Sequence, residues 1–293
     1  MMKIFKVLFL ALLGFSFVGC ASAQTNKRKP MKKTEPKITE KMNENSIGSE
    51  LKILAEGLYG SLETPFLFVA RSAETYVHLQ KFVENLPPES EIDFTRTAVV
   101  AAFAGTKNTG GYSVTVKKVT DKIRIDVIEP PKDAMTTDAL TTPFTISLVP
   151  IEEGNSLPLE VSANWKNAMQ TYTITSGEFN TSSESASRLK KFNAEGTIGV
   201  LIFGDYVTLI FNLSGKGTNK NRRLAETASG IVKANRIDLS RLGTGSFADN
   251  PQSRFNVSGT LGDNKLSLFF EPLRSNADGK SQTNGKIEAV KTR

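Results

Sequence analysis

In GTKNTGGY (residues 105–112), Gly105 and Gly110 are separated by four residues, the spacing with which a phosphate-cradling loop opens. The chemistry of such a loop lies just after its second glycine, where a lysine reaches the β- and γ-phosphates and a serine or threonine binds magnesium. Here those positions hold Gly111 and Tyr112. A phosphate loop must also run into a helix, whose N-terminus supplies the field for the anion. YSVTVKK instead alternates apolar and polar residues as a strand does. Both facts argue against a nucleotide. The glycines then read as turn-formers, with Tyr112 packing inward beside Val114 and Val116 in a tight hairpin.

Other reactive residues are few. His78 is the only histidine and Cys20 the only cysteine. A histidine-based hydrolase would have to use His78, and a zinc site would lack its usual ligand set. His78 lies one step from the apolar stripe of an expected helix, which suits a solvated or partly packed side chain. The acidic pairs Glu152–Glu153 and Asp121 with Asp126 have no special spacing. They would serve glycoside chemistry only if the fold set them about 5 to 9.5 Å apart. The expectation is therefore a chain that is not an enzyme, with no catalytic residue, no metal site and no cofactor. GKGTNKNRR (215–223) is the one basic cluster of the folded part, and it reads as a solvated, mobile hairpin loop or as a contact for an acidic partner or lipid headgroup. The sequons at Asn180, Asn212 and Asn256 matter only in a eukaryotic secretory route, and the leader is of bacterial type.

The net charge of +7 is concentrated at one end. Residues 1–48 hold nine lysine and arginine residues against three glutamates, which leaves +1 on the remaining 245 residues. A nucleic-acid reader needs its basic stripe on the folded part, so no nucleic-acid partner is expected. Residues 1–20 read as a signal peptide: two lysines, an apolar run from Val7 to Val18 that is too short to span a bilayer, then small residues. Two cleavage readings stay open. Ala21-Ser22-Ala23 suits an ordinary signal peptidase, and Phe17-Val18-Gly19-Cys20 resembles a lipobox, after which Cys20 becomes the lipidated N-terminus. Lipidation accounts for a lone cysteine in an exported chain, so the expected location is the cell envelope, with the membrane reached through a lipid-anchored Cys20. Residues 21–48 read as a disordered basic tether.

The elements that must position these residues begin near Leu51. Strands are expected over 51–58, 66–70, 98–104, 112–118, 123–128 and 144–150, with one helix at about 72–85 capped by Ser72 and stopped by Pro87-Pro88. Ile123, Ile125 and Val127 alternate with Arg124 and Asp126, the mark of a half-buried antiparallel sheet. Beyond Trp165 no convincing helix follows, and an echo takes its place: FNAEGTIG (192–199) and FNVSGTLG (255–262) each lead through Gly-Asp into an alternating strand. The fold class is mainly β, α+β in the first part, with two domains at 49–152 and 163–293. The second is an antiparallel, hairpin-built barrel or sandwich.

The order RSAETYVHLQKFVENLPP, Asp93-Phe94, AVVAAFAG, Thr109-Gly110-Gly111-Tyr112 with YSVTV, and Thr142-Pro143-Phe144 resembles the C-terminal domain of protease complex subunit PrcB over about residues 51–150. Phe144 stands where that family has tyrosine. The resemblance implies a non-catalytic partner-binding or assembly role outside the cytoplasm, in a secreted or surface protease complex. Asn108-Thr109-Gly110-Gly111-Tyr112 is also similar to a cleft-inserting loop of chagasin-type protease inhibitors, without its proline. These five residues are the expected protein-binding loop, with a protease or another envelope protein as partner. The rival reading is a small-molecule or lipid carrier that holds its ligand inside the second β domain.

Overall fold

The sixteen strands of the described residues pair into two four-stranded sheets and a closed barrel. The structure is a computed structural model that describes residues 49–151, 155–183, 186–216, 222–243, 254–273 and 281–293. The signal peptide, Cys20, the tether, Glu152–Glu153 and Lys220 lie outside the described residues. Asn45–Arg293 forms one compact unit.

The first part contains β1 (Ser49–Glu50), β2 (Lys52–Gly57), β3 (Phe66–Ala70), α1 (Ala73–Leu79), β4 (Thr97–Phe103), β5 (Ser113–Val119), β6 (Lys122–Ile128), β7 (Phe144–Pro150), β8 (Leu159–Val161) and α2 (Ala163–Ala168). One sheet runs β2-β7-β4-β3 and the other β1-β5-β6-β8. β5 and β6 pair antiparallel, and the short β8 joins β6 in parallel. Alternation places Val114, Val116, Ile123 and Ile125 in one core with the wholly buried Val99, Val100, Ala101 and Ile146 of the other sheet.

Ser72 caps α1 as expected, its hydroxyl accepting from the Thr75 N–H at 3.2 Å. The helix is shorter than the apolar spacing predicts, because it ends at Leu79 and not near Asn85. Phe82, Val83 and Leu86 still reach the core, but from irregular turns that end with Asn85 in the left-handed region at φ 62°. A straight helix would carry Phe82 along its own axis. The turns let its ring lie edge-on to Phe68, Phe103, Phe203 and Tyr206.

The second part is the closed barrel, not the sandwich. Its strands are β9 (Gln170–Ser183), β10 (Ala186–Phe203), β11 (Tyr206–Lys216), β12 (Arg222–Lys233), β13 (Arg236–Gly243), β14 (Arg254–Leu261), β15 (Lys265–Pro272) and β16 (Ser281–Lys291). All neighbours are antiparallel, and β16 closes onto β9. The echo marks two equivalent hairpins, β10–β11 and β14–β15, and the phenylalanine that opens each repeat, Phe192 or Phe255, is buried in the barrel core. Gly204-Asp205 is the expected two-residue turn, with Phe203 opposite Tyr206 and Gly204 at φ 56°. The second turn is wider: Leu261 faces Leu266, and the Gly262 N–H donates to the Lys265 carbonyl at 2.8 Å.

Eight strands enclose an interior that side chains just fill. Phe179 stacks on Phe192 at 5.3 Å, and Phe270 meets Phe179, Phe211 and Phe255 edge-on at 5.2 to 5.8 Å. The basic cluster at 215–223 departs from expectation here. Arg222 is not in a solvated loop: it is buried, with its guanidinium 4.5 Å from the centre of the Phe192 ring. Arg223 points the other way.

β3 is an edge strand, and an unpaired buried edge costs unless its backbone groups find partners. The barrel supplies them. The Val69 N–H donates to the Ser229 hydroxyl at 2.8 Å, and the Thr208 hydroxyl donates to the Leu67 carbonyl. Since the Thr208 proton is committed, the Ser229 hydroxyl donates to Thr208 Oγ1 at 2.6 Å.

Candidate functional site

The segment between Phe103 and Ser113 is not a hairpin. β4 ends in one sheet and β5 begins in the other, so GTKNTGGY is a crossover between sheets, and its shape must come from contacts outside the two strands it joins. Those contacts are numerous. The Ala104 N–H donates to Pro143 O at 2.9 Å and the Thr106 N–H to Glu63 O at 2.8 Å. Lys107 and Thr141 exchange both backbone hydrogen bonds at 2.7 and 3.0 Å, and the Gly110 N–H donates to Thr137 O at 3.0 Å. The Thr141 hydroxyl donates to Thr109 O at 3.0 Å.

The glycines are required by this packing. Gly111 has φ 84°, and a Cβ there would stand 2.9 Å from Pro130 Cβ. Gly110 does not have a positive φ; it is buried, and a Cβ would lie 2.5 Å from the Thr137 hydroxyl. Of the five expected contact residues, Asn108 and Gly111 are exposed, Thr109 and Tyr112 half-buried, and Gly110 buried. Gly110 therefore shapes the loop from beneath. Tyr112 does not pack fully inward: Lys107 Nζ stands 5.8 Å from its ring centre.

Support from below comes from α2, an element that neither apolar periodicity nor a side-chain cap announces. Its Asn164 accepts from Lys107 Nζ at 2.6 Å and donates to Ala104 O at 3.1 Å. The buried Trp165 indole N–H is shared between Phe66 O and Phe103 O at 3.2 and 3.0 Å. Burial lowers the Lys107 pKa from its ordinary value, and the Glu129 carboxylate partly opposes that.

Two further loops meet the crossover at the same end of the sheets. Gly60 N–H donates to Thr142 O and Thr142 N–H to Leu58 O, both at 2.8 Å, so Tyr59 and Thr142 run side by side. This lacing leaves large apolar side chains in solvent: Tyr59 is 72% exposed, Leu140 67% and Met135 fully. Isolated exposed apolar residues are ordinary; several on loops fastened to one another form a candidate contact surface. Sequence reasoning missed Tyr59, Met135 and Leu140, because an apolar residue in a loop is indistinguishable from one that folds back into the core.

The structure does not bring the other reactive residues here. His78 lies on α1 with its ring 5.6 Å from that of Tyr206, and its Nδ1 is buried. Burial lowers its pKa from the ordinary 6.5, with Lys81 and Lys233 adding to the effect. The Tyr76 hydroxyl donates to Pro87 O at 2.9 Å, and burial, then Glu89 and Glu91, push its pKa up to about 12. Asp126 pairs with Arg124 at 2.9 Å on the surface of its strand. Among the described residues no three His, Cys, Asp or Glu side chains are grouped so as to hold a metal ion.

Residues 98–149 match the family described as PrcB C-terminal. The matched segment spans β4, the crossover loop, β5, β6, the 129–143 loop and β7. It lies inside the 51–150 stretch whose sequence resembles that family, and covers less than a fifth of the chain. No curated protein and no solved structure matches the chain.

Proposed function

We propose that this chain is a non-catalytic, exported, protein-binding or assembly subunit of a secreted or surface protease complex, held at the membrane by a lipid on Cys20. The family resemblance supports the kind of complex, and the leader supports the address. The observation that carries the reading is the loop end of the sheets, where Asn108, Gly111 and Tyr112 and the exposed Tyr59 and Leu140 stand on loops fixed to one another by backbone hydrogen bonds. A prefixed apolar surface loses little entropy on docking, so contacts there contribute directly to affinity.

The carrier reading is weaker because the barrel interior is occupied by Phe179, Phe192, Phe211, Phe255 and Phe270, all buried to within 3%. A ligand would have to displace a packed core.

The test is crosslinking and capture by the purified mature protein in its own cell envelope, comparing wild type with Tyr59→Ala plus Leu140→Ala. Both side chains are exposed, so the fold survives. A captured protease that is lost with the double variant supports the reading; an unchanged set of captured proteins overturns it. Metabolic labelling with a fatty acid, wild type against Cys20→Ser, tests the anchor separately.

A further inference from the structure

A wide cleft lies at the opposite end of the same strands. The loop surface gathers where β4 ends and β5 begins, whereas the cleft gathers around Arg96 before β4 and Lys118 near the end of β5. Strands of seven residues separate the two by roughly 20 Å. The cleft holds about 920 Å³ between the β5–β6 turn, the 155–158 segment and β12 of the barrel.

Its described lining is mainly cationic. Among the described residues that line it, Arg96, Lys118, Lys122 and Arg223 stand against the carboxylate of Asp121. Residues 49–293 carry a net charge of only +1, so this concentration is not a by-product of an overall basic body. Among the described residues, two of the cations hold long, exposed ion pairs with carboxylates at the rim, Arg96 with Asp93 at 4.0 Å and Lys122 with Glu160 at 3.9 Å. Such pairs contribute little and yield readily to a better anion. Between the cations the lining is apolar and partly accessible, with Pro150, Ile151 and Pro158, while the hydroxyl groups of Thr95, Thr120 and Ser156 supply hydrogen-bonding groups.

We infer that this cleft docks an acidic segment of a partner protein, one in which apolar residues separate carboxylates. Carboxylates meet the rim cations, and the apolar residues between them enter toward Ile151 and Pro158. The charge pattern selects an anion and the concavity selects a narrow one: a bilayer plane would meet the exposed rim of such a depression and leave its lining untouched. The inference goes beyond the loop surface and does not depend on it. With both ends in use, the chain joins two protein segments across the length of one sheet, which suits an assembly role.

The test is fluorescence anisotropy of the full mature chain with a fluorescein-labelled peptide of alternating glutamate or aspartate and leucine. The control peptide has every carboxylate replaced by its amide. Binding of the acidic peptide is expected to fall roughly tenfold with Lys118→Ala plus Lys122→Ala, and further with Arg96→Glu. It is also expected to weaken steeply as salt rises from about 50 to about 500 mM. Circular dichroism confirms folding of the variants. Equal binding by the variants, equal binding of the amide peptide, or no peptide binding each overturns the inference. So does binding of phosphatidylglycerol vesicles, lost in the same variants, in place of the peptide. The Tyr59→Ala plus Leu140→Ala variant leaves the anisotropy unchanged, so the cleft and the loop surface can fail independently.

Discussion

Arg71, one residue past β3, and Glu226, on barrel strand β12, stand 155 residues apart in the chain and form a buried ion pair, with Arg71 8% exposed and Glu226 1%. β12 pairs with β13 only from Ile231 to Lys233, next to their turn. Where the two strands part, the Glu226 carboxylate accepts from Arg71 Nη1, from the Leu157 N–H at 2.7 Å and from the Gly243 N–H. Arg71 Nη2 donates in turn to Asn155 O at 2.7 Å. Burial raises the Glu226 pKa above its ordinary value, and Arg71 and the two N–H groups oppose that rise. One carboxylate thus ties together β3's continuation, the 155–157 segment and two barrel strands.

Removing one partner strands the other charge in the interior. Arg71→Leu is expected to lower stability by about 3–5 kcal/mol, read as a lower urea midpoint, while Arg71→Leu combined with Glu226→Leu recovers much of the loss. A loss below about 1 kcal/mol in the single variant would show that the pair is not needed to hold the parts together.

Gly111 and Asn108 separate building the loop from using it. Gly111→Ala puts a Cβ at positive φ and against Pro130, and is expected to cost about 1–3 kcal/mol. Asn108→Ala, at an exposed position, is expected to stay within about 0.5 kcal/mol of wild type. Thermal unfolding of the two variants side by side checks both values; a stable Gly111→Ala would mean the crossover relaxes freely.

His78, the only histidine, is a clean NMR probe. Its folded-state pKa is lowered from 6.5 by burial, Lys81 and Lys233. The neutral form is therefore the one the fold favours: its contribution to stability is present above pH 6.5 and is lost as pH falls through the lower, folded value. A ring titration midpoint at or above 6.5 would contradict the packing of His78 against Tyr206.

The barrel core predicts both a stability and a binding result. Phe270→Ala, which removes the ring that touches three other phenylalanines, is expected to cost about 3–5 kcal/mol. The wild-type protein is expected to leave the fluorescence of an apolar naphthylamine probe at its buffer value. Saturable enhancement of the probe, competed by a fatty acid, would revive the carrier reading.

Strand positions were legible where apolar residues alternate or form a short run between turn residues. Alternation from Ile123 to Val127 states the period directly, since one backbone repeat decides which side chains leave water, whereas FLFVA of β3, buried on both faces, is marked by its length and by the turn residues before it. The end of α1 was not legible. Phe82, Val83 and Leu86 keep helical spacing, and only the aromatic cluster they join shows that turns carry them. α2 escaped for a related reason: six residues are too few for a period, and its stability comes from Trp165 and Asn164 reaching the carbonyls of distant strands.

The residue order by itself determined the mainly β texture, the hairpin meander of the second part and the loss of the phosphate-loop chemistry at Gly111 and Tyr112, because period, turn residues and missing side chains are local properties. Tertiary structure decided the rest. It made the crossover loop a bridge between sheets, buried Arg222 under Phe192, gathered four cations in one cleft and placed Tyr59 beside Thr142. Each of these depends on which strands become neighbours, and that choice is made by packing free energy summed over residues far apart in the chain.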